Sequence, residues 1–404
     1  MRADRPTRTF DPESGERFNS DAIAESLRSL GLDYLALNPG ASYRGLHDSL
    51  VNVLGNEQPT MLLCLHEEHA VAIAHGFAKV AERPMGVALH SNVGLMHATM
   101  ALFDAWCDRV PMVVVGATGP LDAAERRPWI DWIHTSADQG ALIRSYVKWD
   151  DQVISAQAAV EAITQAYVRT WTYPCAPAYV NLDAEMQEAP TTQPVRLPDP
   201  QRHRPVPPPA PRSEAVEELA SELESARQPL ILVGRVSRSE EAWQRRVALA
   251  ERLGAAVLCD LKTGAGFPTA HPLNPAAPGT FLSPSGRELL RAADVIVSLD
   301  WIDLAGTLKQ AYGVDRVEAF IASCSMDFVL HNGWSKDHYG LAPIDLEIES
   351  HPDLLVDALS ARIGSGPPLE REAWPPGDLT RSTPLLGEDG DEILVGDLAR
   401  ALGD

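Results

Sequence analysis

Short uninterrupted apolar runs alternate along this chain with longer stretches in which apolar residues recur every three or four positions. The first pattern reads as a strand buried on both faces, the second as a helix with one packed side. The clearest instance runs from Leu63 to Gly94. Met61-Leu62-Leu63-Cys64-Leu65 predicts a fully buried strand. Ala70, Ile73, Ala74, Phe77, Ala78 and Val80 predict the packed face of a helix ending near Arg83. Gly86-Val87-Ala88-Leu89 predicts a second strand, running on into His90-Ser91-Asn92-Val93-Gly94. Together they form a crossover unit with two polar clusters at its strand ends, where open parallel sheets bind ligands.

The same alternation covers the rest of the chain. Asn19 or Ser20 can cap a helix carrying Ile23, Leu27 and Leu30, with Gly31 as its stop, and Tyr34–Leu37 is a strand ending in Asn38-Pro39-Gly40-Ala41-Ser42. Met96 to Trp106 predicts a helix with Met96, Thr99, Met100 and Phe103 inward, followed by a strand at 111–115, a helix at 156–170 and a strand at 178–183. Pro190 to Pro211 holds nine prolines, which no helix or central strand accommodates, so it predicts an extended linker. Beyond it, helices at 214–226, 242–253 and 286–292 alternate with strands at 229–234, 256–258, 294–300 and 318–321. The fold class predicted is α/β, two doubly wound parallel-sheet domains joined by a Pro-rich linker. The second domain spans 213–363, and 364–404 reads as a further Pro/Gly-rich linker and a last helix at 393–402.

Composition narrows the function classes. A net charge of −22 opposes a nucleic-acid or anionic-membrane partner. The five cysteines are scattered without pairing or metal spacing and read as reduced thiols of a cytoplasmic protein. Neither a leader peptide nor a membrane-length apolar run is expected.

The candidate chemistry gathers at the strand ends. Glu67 lies where a strand gives way to a helix; burial there would raise its pKa toward general acid–base work, or it is an ordinary first-turn glutamate answering the helix dipole. Asn38-Pro39-Gly40 reads equally as a plain turn. Arg126-Arg127-Pro128-Trp129-Ile130-Asp131-Trp132-Ile133-His134 could close a pocket over an apolar ligand, or form a surface helix buried at a subunit interface. Asp104, Trp106 and Asp108 read as helix-end and packing residues, and Asp300, Trp301 and His331 as packing or interface residues. No G-x-G-x-x-G follows a strand in the second domain.

His66-Glu67-x-x-Ala70, then Gly76-Phe77-Ala78, Leu89-His90-Ser91, Ala105-Trp106 and Val110-Pro111-Met112-Val113-Val114-Val115 stand in an order and spacing that resemble the pyrimidine-binding domain of thiamine-diphosphate enzymes. The branch resembled holds acetolactate synthase and benzoylformate decarboxylase. The likeness runs from about Asn38 to Asp183 and more weakly to about Arg362. The resemblance implies that residues 1–189 are a pyrimidine-binding domain and that thiamine diphosphate is the cofactor. It implies Glu67 as the catalytic carboxylate at N1′ of the aminopyrimidine, and His90 as a proton shuttle in a reaction through a C2 ylide and an enamine. Pro39, Gly40, Ser91 and Asn92 would join Glu67 in holding the cofactor. Ala41, Ser42, His66, Trp129, Trp132 and His134 would line the substrate, a small 2-oxo acid undergoing decarboxylation or carboligation. Ala41 stands where benzoylformate decarboxylase has a substrate-contacting serine, a departure that bears on the substrate. The second domain resembles the family's central domain; without a phosphate cradle FAD is not expected and a structural role is.

The family's Gly-Asp-Gly…Asn diphosphate and Mg²⁺ motif is not found; Asp389-Gly390-Asp391 and Gly396-Asp397 come nearest. No metal ligands are assigned to this chain. The expectation is a split enzyme whose partner, a pyrophosphate-binding subunit, carries the Mg²⁺ ligands, with self-association through the pyrimidine-binding domain. The alternative is a non-catalytic binding or regulatory relative.

Overall fold

The structure is a computed structural model that describes residues 15, 17–330 and 341–374. His331 and the segment 375–404, with the last helix and the two Gly-Asp candidates expected there, lie outside the described residues. The chain divides into two compact units. The first takes the described residues up to 210 together with 325–330 and 349–351, and the second takes 211–324, 341–348 and 352–374.

The first unit is built on six parallel strands: β1 Tyr34–Leu37, β2 Thr60–Leu63, β3 Met85–Leu89, β4 Met112–Thr118, β5 Trp149–Val153 and β6 Ala178–Asp183. Their order across the sheet is β2-β1-β3-β4-β6-β5. Its helices are α1 Asn19–Ser29, α2 Arg44–Asn52, α3 Glu67–Ala81, α4 Ser91–Cys107, α5 Asp131–His134, α6 Ala156–Trp171 and α7 Ala184–Glu188. Side chains alternate across the sheet. Leu35, Leu37, Val113 and Val115 meet Ile23, Leu27, Leu46 and Ile163 on one face. Ala36, Val87, Leu89 and Val114 meet Ala70, Ala74, Leu95 and Leu102 on the other. This is the doubly wound arrangement expected.

Three local expectations change. The run at 61–65 is not a fully buried strand: β2 lies at the sheet edge, and Leu65 beyond it is 90% exposed. The packed face of α3 is Glu67, Ala70, Val71, Ala74 and Ala78, while Ile73 and Val80 are exposed. In α4 the inward residues are Leu95, Ala98, Leu102 and Ala105, and Met96 and Met100 point out. The helix also begins directly after β3, with Ser91, Asn92 and Gly94 inside it. The alanine-rich face wins because α3 and α4 pack on each other and on the sheet, and small side chains permit close approach.

The second unit has α8 Ser213–Ser225, β7 Pro229–Val233, α9 Glu240–Leu253, β8 Ala256–Cys259, α10 Pro284–Ala292, β9 Val295–Leu299, α11 Leu304–Tyr312, β10 Phe320–Cys324, β11 Leu346–Ile348 and α12 Pro352–Ile363. All five strands are parallel, in the order β11-β10-β9-β7-β8. Where the carboxyl ends of β7 and β9 meet, a side chain on Gly234 would overlap the Asp300 carbonyl, so the two backbones pack directly together. Arg235 pairs with the buried Asp300 across that junction at 2.9 Å, and Trp301 donates to the Thr307 hydroxyl at 2.8 Å. Both belong to packing. Asp327 and Leu330, expected in the second domain, belong to the first unit, where Asp327 pairs with Arg109 at 2.6 Å.

Candidate active site

The chain leaves β1 toward β2 on one side, and β3 returns on the other. The crevice between the carboxyl ends of β1 and β3 is therefore the topological switch point of the first sheet. Asn38-Pro39-Gly40 leaves one end and His90-Ser91 the other. A Cβ on Gly40 would fall inside the His90 ring, so the missing side chain is what lets loop and imidazole meet.

His90 stands at the residue before α4, makes no capping bond with its side chain, and is half-buried. Its Nδ1 lies 2.9 Å from the Ser42 hydroxyl, which also accepts the Ser91 N–H at 3.1 Å. Gln187 in turn donates to the Ser42 carbonyl at 3.1 Å, fixing the loop from α7. Burial, and then the neighbouring His134 ring with its centroid 4.8 Å away, hold the His90 pKa below the usual imidazole range against the pull of Glu67. His90 is thus a neutral base at neutral pH.

Glu67 opens α3 and is only 3% exposed. Burial pushes its pKa up, but its own backbone N–H, the Asn38 amide and His97 together outweigh burial and hold it below the usual carboxylate range. This corrects the expected upward shift: in the first turn of a helix, a buried carboxylate meets unspent donors. His97 Nδ1 is 3.2 Å from Glu67 Oε2. Gly94 makes the close approach of α4 possible, since a Cβ there would lie 3.0 Å from Glu67 Oε1 and 3.3 Å from the His90 Cβ. His66 caps α3 by accepting the Glu68 N–H, and its ring stacks on His97 at 4.9 Å.

Of the other expected site residues, Pro39 and Ala41 are exposed, and Ser42 is buried with its hydroxyl spent on His90 and Ser91. The Ser91 hydroxyl and the Asn92 amide oxygen are buried without a hydrogen-bond partner among the described residues, as unspent polar atoms flanking a ligand's place would be. His134 reaches His90, and its carbonyl accepts the Gly119 N–H at 2.9 Å. Trp129 and Trp132 are 73% and 76% exposed, so most of each indole is left uncovered by the described residues. Their loop is nonetheless anchored. Fully buried Asp131 accepts the Arg127 N–H at 2.6 Å and its guanidinium at 2.8 Å, which holds the Asp131 carboxyl below the usual range. Sequence reasoning missed His97 and Gln187 as site residues and named Asn38 only as part of the strand-end loop. For His97 a signal existed, because seven residues after His90 is two helical turns along one face.

Residues 19–142 match the model of the thiamine pyrophosphate enzyme N-terminal TPP binding domain, and residues 216–302 match that of the thiamine pyrophosphate enzyme central domain. Sulfoacetaldehyde acetyltransferase of Rhodobacter capsulatus is 28% identical over 303 residues, 75% of this chain and 48% of that protein. The acetolactate synthase large subunit of Lactococcus lactis is 25% identical over 294 residues, 71% of this chain and 48% of that protein. Benzoylformate decarboxylase of Pseudomonas aeruginosa is 28% identical over 251 residues, 62% of this chain and 46% of that protein. The chain thus spans about half the length of the curated relatives it matches. In fold it is similar to benzoylformate decarboxylase from Polynucleobacter necessarius, with a TM-score of 0.70 at 21% identity over 88% of this chain and 62% of that one. With two domains matched in their family order on the two sheets described, the chain belongs to the thiamine pyrophosphate enzymes.

Proposed function

We propose that this chain supplies the pyrimidine side of a thiamine-diphosphate site that breaks or forms a carbon–carbon bond beside the carbonyl of a 2-oxo acid. A diphosphate-binding subunit with its Mg²⁺ completes that site. The observation that carries the reading is the Glu67 carboxylate, buried and held ionised at the switch-point crevice with a neutral histidine beside it. Glu67 would hold the aminopyrimidine ring, with the unspent Ser91 hydroxyl and Asn92 amide oxygen supplying further polar partners. When bound, the coenzyme supplies an electron sink for the carbon–carbon step. His90 gives and takes the proton at the reacting carbon, a task suited to an imidazole near neutrality. Ser42 fixes its ring from behind. His66 and His134 border the substrate, and Trp129 and Trp132 cover it.

The relatives are by name decarboxylases, synthases and an acetyltransferase, so both decarboxylation and carboligation stand within the proposal. The second unit acts structurally, supported by the packed backbones at Gly234 and Asp300. Self-association and docking of the partner are supported by Leu65, Met96 and Met100, all exposed on or beside α3 and α4. Five free cysteines support a cytoplasmic setting. Among the described residues no helix is long and apolar enough to cross a membrane.

The test is co-purification followed by reconstitution. The chain should capture a protein carrying a Gly-Asp-Gly…Asn motif, and the mixture should gain Mg²⁺-dependent turnover of a 2-oxo acid. Glu67→Gln should lower that turnover by at least about 10²-fold while capture persists. Turnover like wild type from the glutamine variant would end the proposal.

A further inference from the structure

His66, Glu67 and His97 each place a ligating atom within 4.8 Å of the other two. His66 and Glu67 sit at the junction of β2 and α3, and His97 nearly two turns into α4, so the packing of two helices assembles the set. His69 lies next to it, its ring 5.6 Å from His66. We propose that these three residues form a binding site for a divalent transition metal of the zinc type, distinct from the Mg²⁺ of the diphosphate.

Two imidazoles and one carboxylate are the donor set of an open zinc site, with a fourth position left for water. They are poor ligands for Mg²⁺, which prefers oxygen. Zinc–ligand bonds of about 2.0–2.1 Å place neighbouring ligand atoms of a tetrahedron about 3.3 Å apart. His97 Nδ1 and Glu67 Oε2 already stand at 3.2 Å, so an ion can replace the hydrogen they share. His66 is partly exposed and its Nδ1 accepts only a 3.2 Å bond from the Glu68 N–H. Its ring, stacked on His97, closes the third vertex by a side-chain rotation that exchanges that bond for a coordinate one. The buried Glu67 supplies the negative charge that offsets the positive end of α3.

An ion bound there takes the same carboxylate that the coenzyme ring needs, so metal and coenzyme exclude one another. That consequence alone rests on the proposed function; the site itself does not. The experiment is calorimetric titration of the full chain with Zn²⁺ in the absence of coenzyme, with Co²⁺ as a spectroscopic probe. Wild type should bind one Zn²⁺ saturably, and Co²⁺ should give visible absorption bands that Mg²⁺ does not. His66→Ala, His97→Ala and His97→Asn should each weaken binding at least about tenfold, since even the loss of an outer-shell partner costs that much. The asparagine variant keeps a hydrogen-bonding side chain opposite Glu67, which separates ligand loss from misfolding. His203→Ala, at an exposed histidine bonded to the Asp199 carbonyl, should bind as wild type. Unsaturable binding in wild type, or binding retained within twofold in His97→Asn and His66→Ala, would overturn the site.

Discussion

Ser42 shows how a single hydroxyl can decide what an imidazole does. Its oxygen accepts the Ser91 N–H and lies 2.9 Å from His90 Nδ1, within hydrogen-bond distance. That contact ties the ring to one tautomer. In Ser42→Ala the tautomer is no longer fixed, and turnover of the reconstituted enzyme should fall roughly tenfold, a part of what general acid–base catalysis contributes. The ¹⁵N shifts of His90 should move from a single-tautomer pattern to a mixture. Unchanged shifts would mean that the serine merely packs. Gly94→Ala tests the neighbouring carboxylate: a methyl 3.0 Å from Glu67 Oε1 must displace it. At this scale the sequence made Glu67 and His90 visible because each stands at a pattern break. His97 stayed hidden because it sits mid-helix, and only the packing of α3 on α4 brings it to Glu67.

Among the elements, β4 and β6 are neighbouring interior strands of the first sheet, and their contact is specific. Gly116 lies under the Tyr179 phenol, which with Gln139 and Asn181 forms a buried network. Gly116→Ala should cost about 1–3 kcal/mol by chemical denaturation, since neither backbone nor ring can retreat. The α3–α4 pair has its own clasp. Asp108, just past the end of α4, lies 2.9 Å from His75 and 2.5 Å from Lys79 on α3. Burial pushes the Asp108 carboxyl up, but its bonds to His75 and Lys79 outweigh burial and hold it below the usual carboxylate range. A carboxyl with a depressed folded pKa stabilises above its unfolded pKa, and that contribution is lost as pH falls through the folded value. Asp108→Asn should therefore destabilise by about 1.5–3 kcal/mol at neutral pH and flatten the acid limb of a stability–pH curve. An acid limb identical to wild type would refute the clasp. The strands and helices themselves were readable from apolar period, but their orientation was not. Both Met96 and Ala98 fit a helical stripe, and only a neighbouring helix selects the alanine face.

For the whole molecule, the exposed apolar residues around α3 and α4 have a stated use. Leu65→Asp combined with Met100→Lys should shift the sedimenting species toward a smaller mass and reduce capture of the diphosphate-binding partner, without lowering the thermal midpoint. A mass and capture equal to wild type would remove self-association and docking from that face. The second unit, with the same sheet logic, closes its own switch point by packing backbone against backbone at Gly234. Two sheets of one kind thus diverge: one keeps a crevice lined by polar residues, the other fills it.

The sequence by itself determined the succession of parallel strands and helices, the proline-rich divide between two sheets, and the family, because periodicity and motif spacing are local properties of the chain. Only the tertiary structure decided which strand became the edge, which face of α4 turned inward, and which histidine met Glu67. Each of those depends on contacts between segments far apart in sequence, where steric fit and hydrogen-bond satisfaction select among faces that hydrophobic pattern alone leaves equivalent.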